Sequence, residues 1–265
     1  MISFGNKKKE QPKTSSTPTE TTFQQTEIEQ LSASPRHQEW VTLKHGNREF
    51  QAFVVYPETD LKTKSIIAIH ENRGLNDWAR LFADKLAAEG YLVIAPDLLS
   101  NTVEGKKYTS NPDAARDALY ALDPEQVTAD LDVAFQYIKN DASSTGEVAA
   151  VGFCWGGSQT FGYATNNTNI SSAHVFYGTA PENSDAFSKI SAPIYGYYGG
   201  DDNRVNATIE QTERLMKAAG KIYEYEIYDG AGHAFMRSGS QPDSSEANKK
   251  AHDAAWKRLL ELLKR

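Results

Sequence analysis

The chain has 265 residues, a formal net charge of −7 at pH 7 and a pI near 5.4. This length suits one α/β domain with a large core and does not require a second domain. The acidic balance argues against a nucleic-acid partner, because proteins that bind nucleic acids present basic patches. No apolar run reaches the ~18–20 residues that cross a bilayer. The single cysteine permits no intramolecular disulfide.

The first 37 residues differ in composition from the rest of the chain. They are rich in Lys, Thr, Ser, Gln, Glu and Pro and hold few large apolar side chains. Such a segment cannot bury enough surface to offset the entropy of ordering, so we expect a flexible tail over residues 1–37 and a folded domain over residues 38–265. The tail lacks the apolar region of a secretory signal, which favours a cytoplasmic protein. The alternative is that residues 1–37 are a tether that remained after a targeting segment was removed.

Predicted strands and helices alternate along the chain. A first pair of strands, 40–43 and 50–56, is joined by a turn-rich segment. The elements that follow are strand 65–69, helix 79–88, strand 91–95, helices 113–121 and 125–140, strand 147–151, helix 157–164, strands 172–177 and 194–198, helix 207–219, strand 223–228 and helix 246–263. The polar residues 100–112 are expected to lie over the strand ends as a lid. The alternation predicts a mainly parallel sheet with helices on both faces, in a single domain.

The only cysteine lies in a glycine-rich segment between a predicted strand and a predicted helix. Gly152 and Gly156 stand two residues before and two residues after Cys154, which lets the chain turn sharply. The turn would hold the sulfur at a helix N-terminus, where unpaired N–H groups favour negative charge and a thiol ionises more readily. A lone cysteine is more often a buried filler. The segment therefore becomes a nucleophile elbow only if an acid and a histidine follow.

An acid and a histidine do follow, each just past a predicted strand. Asp201 and Asp202 come after strand 194–198, and His233 comes after strand 223–228. The order of nucleophile, acid and histidine is that of the α/β-hydrolase fold. Ligands gather outside the carboxyl ends of the strands in open α/β sheets, so these groups are expected to converge there. The sequence therefore predicts a catalytic site, although each residue alone would be ordinary.

Four segments resemble the signature segments of the dienelactone hydrolase family. They surround Cys154, Asp202, His233 and Glu71 and read Gly-Phe-Cys-Trp-Gly-Gly, Gly-Gly-Asp-Asp-Asn-Arg-Val, Ala-Gly-His-Ala-Phe-Met-Arg and His-Glu-Asn-Arg-Gly-Leu-Asn. The resemblance runs from about Trp40 to the C-terminus. It implies the α/β-hydrolase fold and a hydrolase that cleaves an ester or a lactone, without fixing the substrate.

The resemblance also implies roles for individual residues. Cys154 is implied as the nucleophile, His233 as the base that shares its proton, and Asp202 as the carboxylate that orients the imidazole. Asp201 is the rival acid, and Asp202 is preferred for its spacing to the valine that follows. Glu71 matches a family glutamate that contacts the resting cysteine and helps to generate the thiolate.

Further roles concern the oxyanion and the substrate. The backbone N–H groups of Trp155 and Asn72 are implied as the oxyanion hole. Family arginines hold the carboxylate of dienelactone, and Arg237 matches one of them in spacing. Arg116 is the nearest candidate for the second but is out of register, and a solvated helix arginine is an equal alternative. Phe235 is assigned to an apolar pocket wall, with a core position as the alternative.

The resulting hypothesis is covalent acyl transfer to water through a thioester on Cys154, with little peptidase activity. One alternative is a general short-chain carboxylesterase with a different natural substrate. Another is a non-catalytic binder or sensor that uses its thiol. The expected partner is a small ester or lactone, and the chain is expected to be a monomer or a weak homo-oligomer. No cofactor or metal is expected, because His70 beside Glu71 supplies fewer than the three ligands of a usual zinc site.

Overall fold

A mostly parallel sheet crosses the centre of the molecule. The computed structural model describes residues 26–102 and 112–265. Within these residues the sheet has eight strands in the order β1-β2-β4-β3-β5-β6-β7-β8. The strands are β1 (Gln38–His45), β2 (Arg48–Val55), β3 (Thr63–Ile69), β4 (Leu92–Pro96), β5 (Ser144–Phe153), β6 (Ala173–Phe176), β7 (Ile194–Gly199) and β8 (Tyr223–Tyr228). β1 and β2 form an antiparallel hairpin at one edge, and the strands from β4 to β8 run parallel.

Helices cover both faces of this sheet. One face carries α1 (Glu27–Ser32), α2 (Asp77–Ala88), α8 (Phe235–Ser238) and α9 (Glu246–Leu263). The other carries α3 (Pro112–Tyr120), α4 (Pro124–Lys139), α5 (Trp155–Asn166), a 3₁₀ helix (Ser184–Lys189) and α7 (Ile209–Ala218), while α6 (Asn203–Asn206) follows β7. Successive strand residues point to opposite faces, so Ile66 and Ala68 pack in one apolar cluster and Ile67 and Ile69 in the other. Both faces of the strands are therefore apolar.

The sequence prediction of a parallel α/β sheet with two helical layers is confirmed. Each predicted strand and helix overlaps an observed one, with its ends displaced by a few residues. The 3₁₀ helix, α6 and α8 were not predicted, because four to six residues are too few to show helical periodicity. The stretch predicted as a lid lies mostly in residues 103–111, outside the described residues. Among the helices of the described part, none has both the length and the apolar character for crossing a membrane.

The predicted tail is too long, because residues before 38 include a folded helix. α1 begins with a capping box in which Thr26 and Glu29 bond each other's backbone N–H groups. Leu31 is buried in the apolar cluster that includes α2. The amino-acid composition did not predict this helix, because α1 buries a single apolar side chain, Leu31. Polar residues near it supply the remaining contacts that hold the segment on the domain. Residues 1–25, the remainder of the predicted tail, lie outside the described residues.

A buried carboxylate fastens the segment after α1 to α2. Asp84 accepts hydrogen bonds from Ser34 Oγ at 2.6 Å, from Gln38 Nε2 at 2.9 Å, and from Arg36 Nε and Nη2 at 3.0 and 2.6 Å. The side chains of Asp84 and Arg36 are only 3% and 14% exposed. Burial alone would raise the pKa of Asp84, but these donors outweigh it and lower that pKa. Charge-assisted hydrogen bonds thus hold the N-terminal segment on the domain.

Replacing Asp84 with Asn is expected to lower the free energy of unfolding by about 3 kcal/mol, because the largely buried guanidinium of Arg36 loses its counter-charge. Because folding lowers the pKa of Asp84, its stabilisation is present above the unfolded pKa of about 3.9 and is lost as the pH falls further. Urea denaturation at pH 7 and at pH 3 measures both effects.

The matched control is Asp77→Asn on the same helix. Asp77 pairs with Arg80 on the surface and is half exposed, so its loss should cost less than about 1 kcal/mol. Equal costs for the two variants at pH 7 would contradict the anchoring role of Asp84.

Candidate active site

Cys154 lies at the turn between β5 and α5 in a strained conformation. Its φ of 56° and ψ of −117° are values that non-glycine residues rarely adopt. A Cβ on Gly152 would lie 2.2 Å from the Gly156 carbonyl oxygen, and a Cβ on Gly156 would lie 2.3 Å from the His70 carbonyl oxygen. Only glycine fits at either position, so this spacing permits the turn. Cys154 is half-buried and stands at the N-cap of α5.

The imidazole of His233 interacts with a carboxylate on one side and the sulfur on the other. His233 lies in the loop after β8, and its Nδ1 is 2.5 Å from Oδ2 of Asp202, which is buried at the end of β7. Burial tends to lower the pKa of His233, but its interactions with Cys154 and Asp202 outweigh burial and raise that pKa above 6.5. The three groups therefore meet at the carboxyl edge of the sheet.

Asp201 is not the partner of the imidazole. Its side chain is exposed, and its backbone N–H donates to the carbonyl of Ala231 at 2.9 Å. Asp202 instead caps α6, accepting the Val205 N–H at 3.4 Å through its second oxygen, Oδ1. With Oδ1 bound to the cap, Oδ2 of Asp202 faces His233. Asp202, the acid preferred from the motif spacing, is therefore the one in contact with the histidine.

Glu71 follows β3 and uses both carboxylate oxygens within the protein. The Tyr177 hydroxyl donates to Oε1 at 3.1 Å, and Arg237 Nε donates to Oε2 at 2.8 Å. The expected contact between Glu71 and the sulfur of Cys154 is not made in this arrangement. Burial lowers the pKa of Arg237, but the nearby carboxylate raises it by more, so the guanidinium is charged. Arg237 therefore holds Glu71, where the sequence predicted a clamp for the substrate carboxylate.

Tyr177 was not identified from the sequence, although it contacts several groups of the site. It follows β6 with a φ of 40°, another strained value for a non-glycine residue. Its ring lies edge-on to His233 with centroids 4.9 Å apart, and its hydroxyl bonds Glu71. Burial, with the charge of Glu71, raises the pKa of Tyr177 well above its usual range, so the hydroxyl remains a donor. Its place as the last residue of the predicted strand 172–177 was the one available signal.

Two backbone N–H groups near the nucleophile are unpaired. Those of Trp155 and Asn72 have no hydrogen-bond partner among the described residues. Trp155 begins α5, where N–H groups lack intrahelical partners, and Asn72 lies in the turn after β3. The close contact of Gly156 with His70 brings these two segments together. The pair remains the candidate oxyanion hole that the sequence predicts.

A cavity of about 360 Å³ opens beside Cys154. Its wall is about half apolar and half polar. The apolar and aromatic members are Leu119, Tyr120, Leu122, Pro124, Val127, Trp155 and Tyr177, and the polar members are Ser158, Gln159, Thr179 and Arg204. This volume suits a small molecule. Arg204 is the cationic residue among these described wall residues. The sequence analysis missed it, although it stands only two positions after Asp202.

Two residues predicted to bind substrate lie elsewhere. Arg116 is half exposed on α3, and its guanidinium donates to Asp117 Oδ1 at 3.0 Å. It is not among the described residues that line the cavity, although Leu119 and Tyr120, one turn further along α3, are. Phe235 is completely buried and packs against Tyr177 and Tyr228, with ring centroids 5.3 and 5.2 Å away. Phe235 therefore belongs to the core, which was the alternative considered from the sequence.

The described residues contain no group of three or more His, Cys, Asp or Glu side chains that could hold a metal ion. His70, which stood beside Glu71 in the sequence, is buried and stacks on Trp155. Its Nδ1 lies 2.8 Å from the carbonyl oxygen of Glu71. This histidine therefore makes contacts within the protein instead of taking part in a ligand set.

Comparison with known proteins gives one consistent family. The profile described as "Dienelactone hydrolase family" matches residues 50–265. Two proteins named "Putative carboxymethylenebutenolidase" are similar to this chain. That of Escherichia coli K12 is 31% identical over 209 residues, covering 75% of this chain and 76% of the relative, and that of Saccharolobus solfataricus is 28% identical over 251 residues, covering 82% and 94%. The crystal structure of a "Putative Dienelactone Hydrolase" from Klebsiella pneumoniae has a TM-score of 0.76 at 24% identity and covers 87% of this chain and 99% of that chain.

Proposed function

The chain belongs to the dienelactone hydrolase family, and on that premise we propose that it hydrolyses an ester or a lactone through a thioester on Cys154. The observation that carries the proposal is the His233 imidazole, which interacts with Cys154 and with Asp202 at once. A nucleophile, a base in contact with it and a carboxylate that orients the base are the parts that covalent acyl transfer needs. The cavity beside Cys154 supports a small substrate.

Acylation begins when Sγ of Cys154 attacks the carbonyl carbon. The thiol proton passes to Nε2 of His233, while Asp202 holds Nδ1–H and stabilises the imidazolium. As the C–S bond forms, the carbonyl oxygen becomes an oxyanion that accepts hydrogen bonds from the N–H groups of Trp155 and Asn72. The C–O bond then breaks. The departing oxygen takes the proton from His233, which leaves a thioester.

Deacylation uses the same groups with water as the nucleophile. His233 removes a proton from water, and the resulting hydroxide attacks the thioester carbonyl. Cys154 leaves and recovers the proton, and the acid is released. In a lactone the oxygen released in the first stage stays attached to the acyl chain. Alkoxide and enolate leaving groups depart more readily than an amine, so esters and lactones are favoured over peptides.

The wall of the cavity supports a substrate with an apolar part and a negative charge. Leu119, Leu122 and Val127 supply apolar surface, and Arg204 supplies a cation. A guanidinium can donate two parallel hydrogen bonds to a carboxylate. Arg237 donates to Glu71 through Nε and is not among the described residues that line the cavity, so the proposed role of recognising an anion goes to Arg204. A general short-chain esterase that favours neutral substrates is the alternative, and a non-catalytic thiol binder is the second.

Replacing Cys154 with Ala is expected to lower turnover of p-nitrophenyl acetate at least about 10³-fold, because no acyl-enzyme can form. Wild-type protein quenched during turnover should carry an acetyl group on the peptide that contains Cys154, seen by mass spectrometry. Far-UV circular dichroism controls for folding. Turnover by the Ala variant at the wild-type rate would remove the proposal. Labelling of Cys154 by iodoacetamide, without turnover of any ester in a panel, would favour the thiol binder.

The pH dependence tests the pairing of His233 with Asp202. In the free enzyme His233 must be neutral to accept the thiol proton, and its pKa is raised, so kcat/KM should increase with pH along an acid limb centred above pH 6.5. In Asp202→Asn the carboxylate that raises this pKa is lost. The limb should therefore move to lower pH, and kcat should fall by about 10²–10⁴.

The matched control for this prediction is Asp201→Asn, which makes the same change in the exposed neighbour. It should leave both the limb and kcat in place. An unmoved limb in Asp202→Asn, or the same displacement in both variants, would contradict the assignment of the acid.

Replacing Arg204 with Gln tests the recognition of an anion. The change is expected to raise KM for mono-p-nitrophenyl succinate about tenfold, because a charge-assisted hydrogen bond is lost. KM for neutral p-nitrophenyl butyrate should change by less than about twofold. The control Arg116→Gln removes a guanidinium that pairs with Asp117 on α3 and should affect neither substrate. Equal losses on both esters in Arg204→Gln would contradict the proposed role.

A further inference from the structure

His70 lies between the end of β3 and Glu71, and the mechanism above does not use it. Its side chain is buried, and its ring stacks on that of Trp155 with centroids 5.8 Å apart and planes 14° apart. Its backbone carbonyl lies against the first turn of α5, since a Cβ on Gly156 would be 2.3 Å from that oxygen. His70 is therefore fixed with respect to the N–H of Trp155, one of the two proposed oxyanion donors.

The protonated nitrogen of His70 follows from its contacts. Nδ1 is 2.8 Å from the carbonyl oxygen of Glu71, and a carbonyl can only accept, so Nδ1 carries the proton. Burial lowers the pKa of His70 to about 4, so the ring is neutral near pH 7 and Nε2 is unprotonated. Nε2 is buried and has no hydrogen-bond partner in the described part of the chain. The ring thus makes its side-chain hydrogen bond to the backbone of Glu71.

The carbonyl that His70 holds belongs to the same peptide unit as the N–H of Asn72. In a trans peptide these two groups point in opposite directions. The Gly74 N–H donates to the same carbonyl oxygen at 3.3 Å. Rotation of this peptide unit would break both hydrogen bonds, and the side chain of Glu71 is held as well by Tyr177 and Arg237. Contacts to the carbonyl of Glu71 and contacts to its side chain therefore both fix the direction in which the Asn72 N–H points.

We propose that His70 is a positioning residue that orients the Glu71–Asn72 peptide unit, so that the Asn72 N–H is aimed at the oxyanion before substrate binds. This inference rests on the proposed function, which uses that N–H. A donor that is already oriented needs no reorganisation during the reaction, and this is why oxyanion holes are effective. His70 itself touches no reacting atom in this scheme.

His70→Phe keeps a ring that can stack on Trp155 and removes the donor. With p-nitrophenyl acetate, kcat is expected to fall between about 10-fold and 10²-fold, somewhat less than the loss of a whole oxyanion donor, while KM changes by less than about twofold. Alkylation of Cys154 by iodoacetamide should keep its wild-type rate. That displacement occurs at a methylene carbon and forms no carbonyl oxyanion, so it reports on the thiol and His233 alone.

Two amide variants test whether the donor at residue 70 must lie at the position of Nδ1, because both carry an N–H donor but place it differently. His70→Asn places its amide nitrogen near the position of Nδ1 and should stay within about fivefold of the wild-type kcat. His70→Gln places the same group near Nε2, out of reach of the Glu71 carbonyl, and should be as impaired as the Phe variant. This pair carries the test if His70→Phe does not fold, as judged by circular dichroism.

Three results would each overturn the proposal. They are a wild-type kcat in the Phe and Gln variants, equal kcat values in the Asn and Gln variants, and a parallel fall of alkylation and hydrolysis, which would mean that the whole site is disturbed. Failure of the proposed function is recognised separately, because the wild-type protein would then form no acyl adduct on Cys154 during ester turnover.

Discussion

The site depends on the contact between the backbone of Gly156 and the end of β3. A Cβ on Gly156 would lie 2.3 and 2.5 Å from the carbonyl oxygens of His70 and Ile69, so the first turn of α5 rests directly on those carbonyls. This contact sets Cys154 next to the turn that begins at Glu71, and it brings together the two segments whose Trp155 and Asn72 N–H groups have no partner in the described part of the chain. Strained residues persist only where the surroundings fix them, and here the apolar clusters on both faces of the sheet supply that support.

The charges of the site are divided between two separate sets of partners. Asp202 is buried against His233, while Glu71 is buried against Arg237 and the Tyr177 hydroxyl. A buried carboxylate needs such partners, because desolvation disfavours an unpaired charge. The imidazole of His233 hydrogen-bonds the sulfur of Cys154, whereas Tyr177 and Arg237 interact with that sulfur through electrostatics. Tyr177 lies between the two sets, contacting the imidazole with its ring and Glu71 with its hydroxyl.

The parts that could be predicted from the sequence are those with local signals. The glycines around Cys154, and the positions of Asp202 and His233 directly after strands, identify an elbow and an edge of the sheet without knowledge of the packing. The partners of Glu71 could not be predicted, because they come from residues more than 100 positions away. The role of Arg116 could not be assigned from the sequence, since the side of α3 that faces the cavity depends on how the helices pack. α1 was missed because the buried carboxylate that anchors the segment after it lies on another helix.

One part of the cavity wall carries none of the candidate reacting groups. This part is formed by Leu119, Tyr120, Leu122, Pro124 and Val127, at the end of α3 and the start of α4, whereas the sulfur, the imidazole and the carboxylates stand on the loops after β3, β5, β7 and β8. Exchange of that short segment would alter the shape of the cavity without changing any of those side chains. A mutant library restricted to residues 119–127 would therefore reshape the cavity while the loops that carry the sulfur and the imidazole keep their sequence.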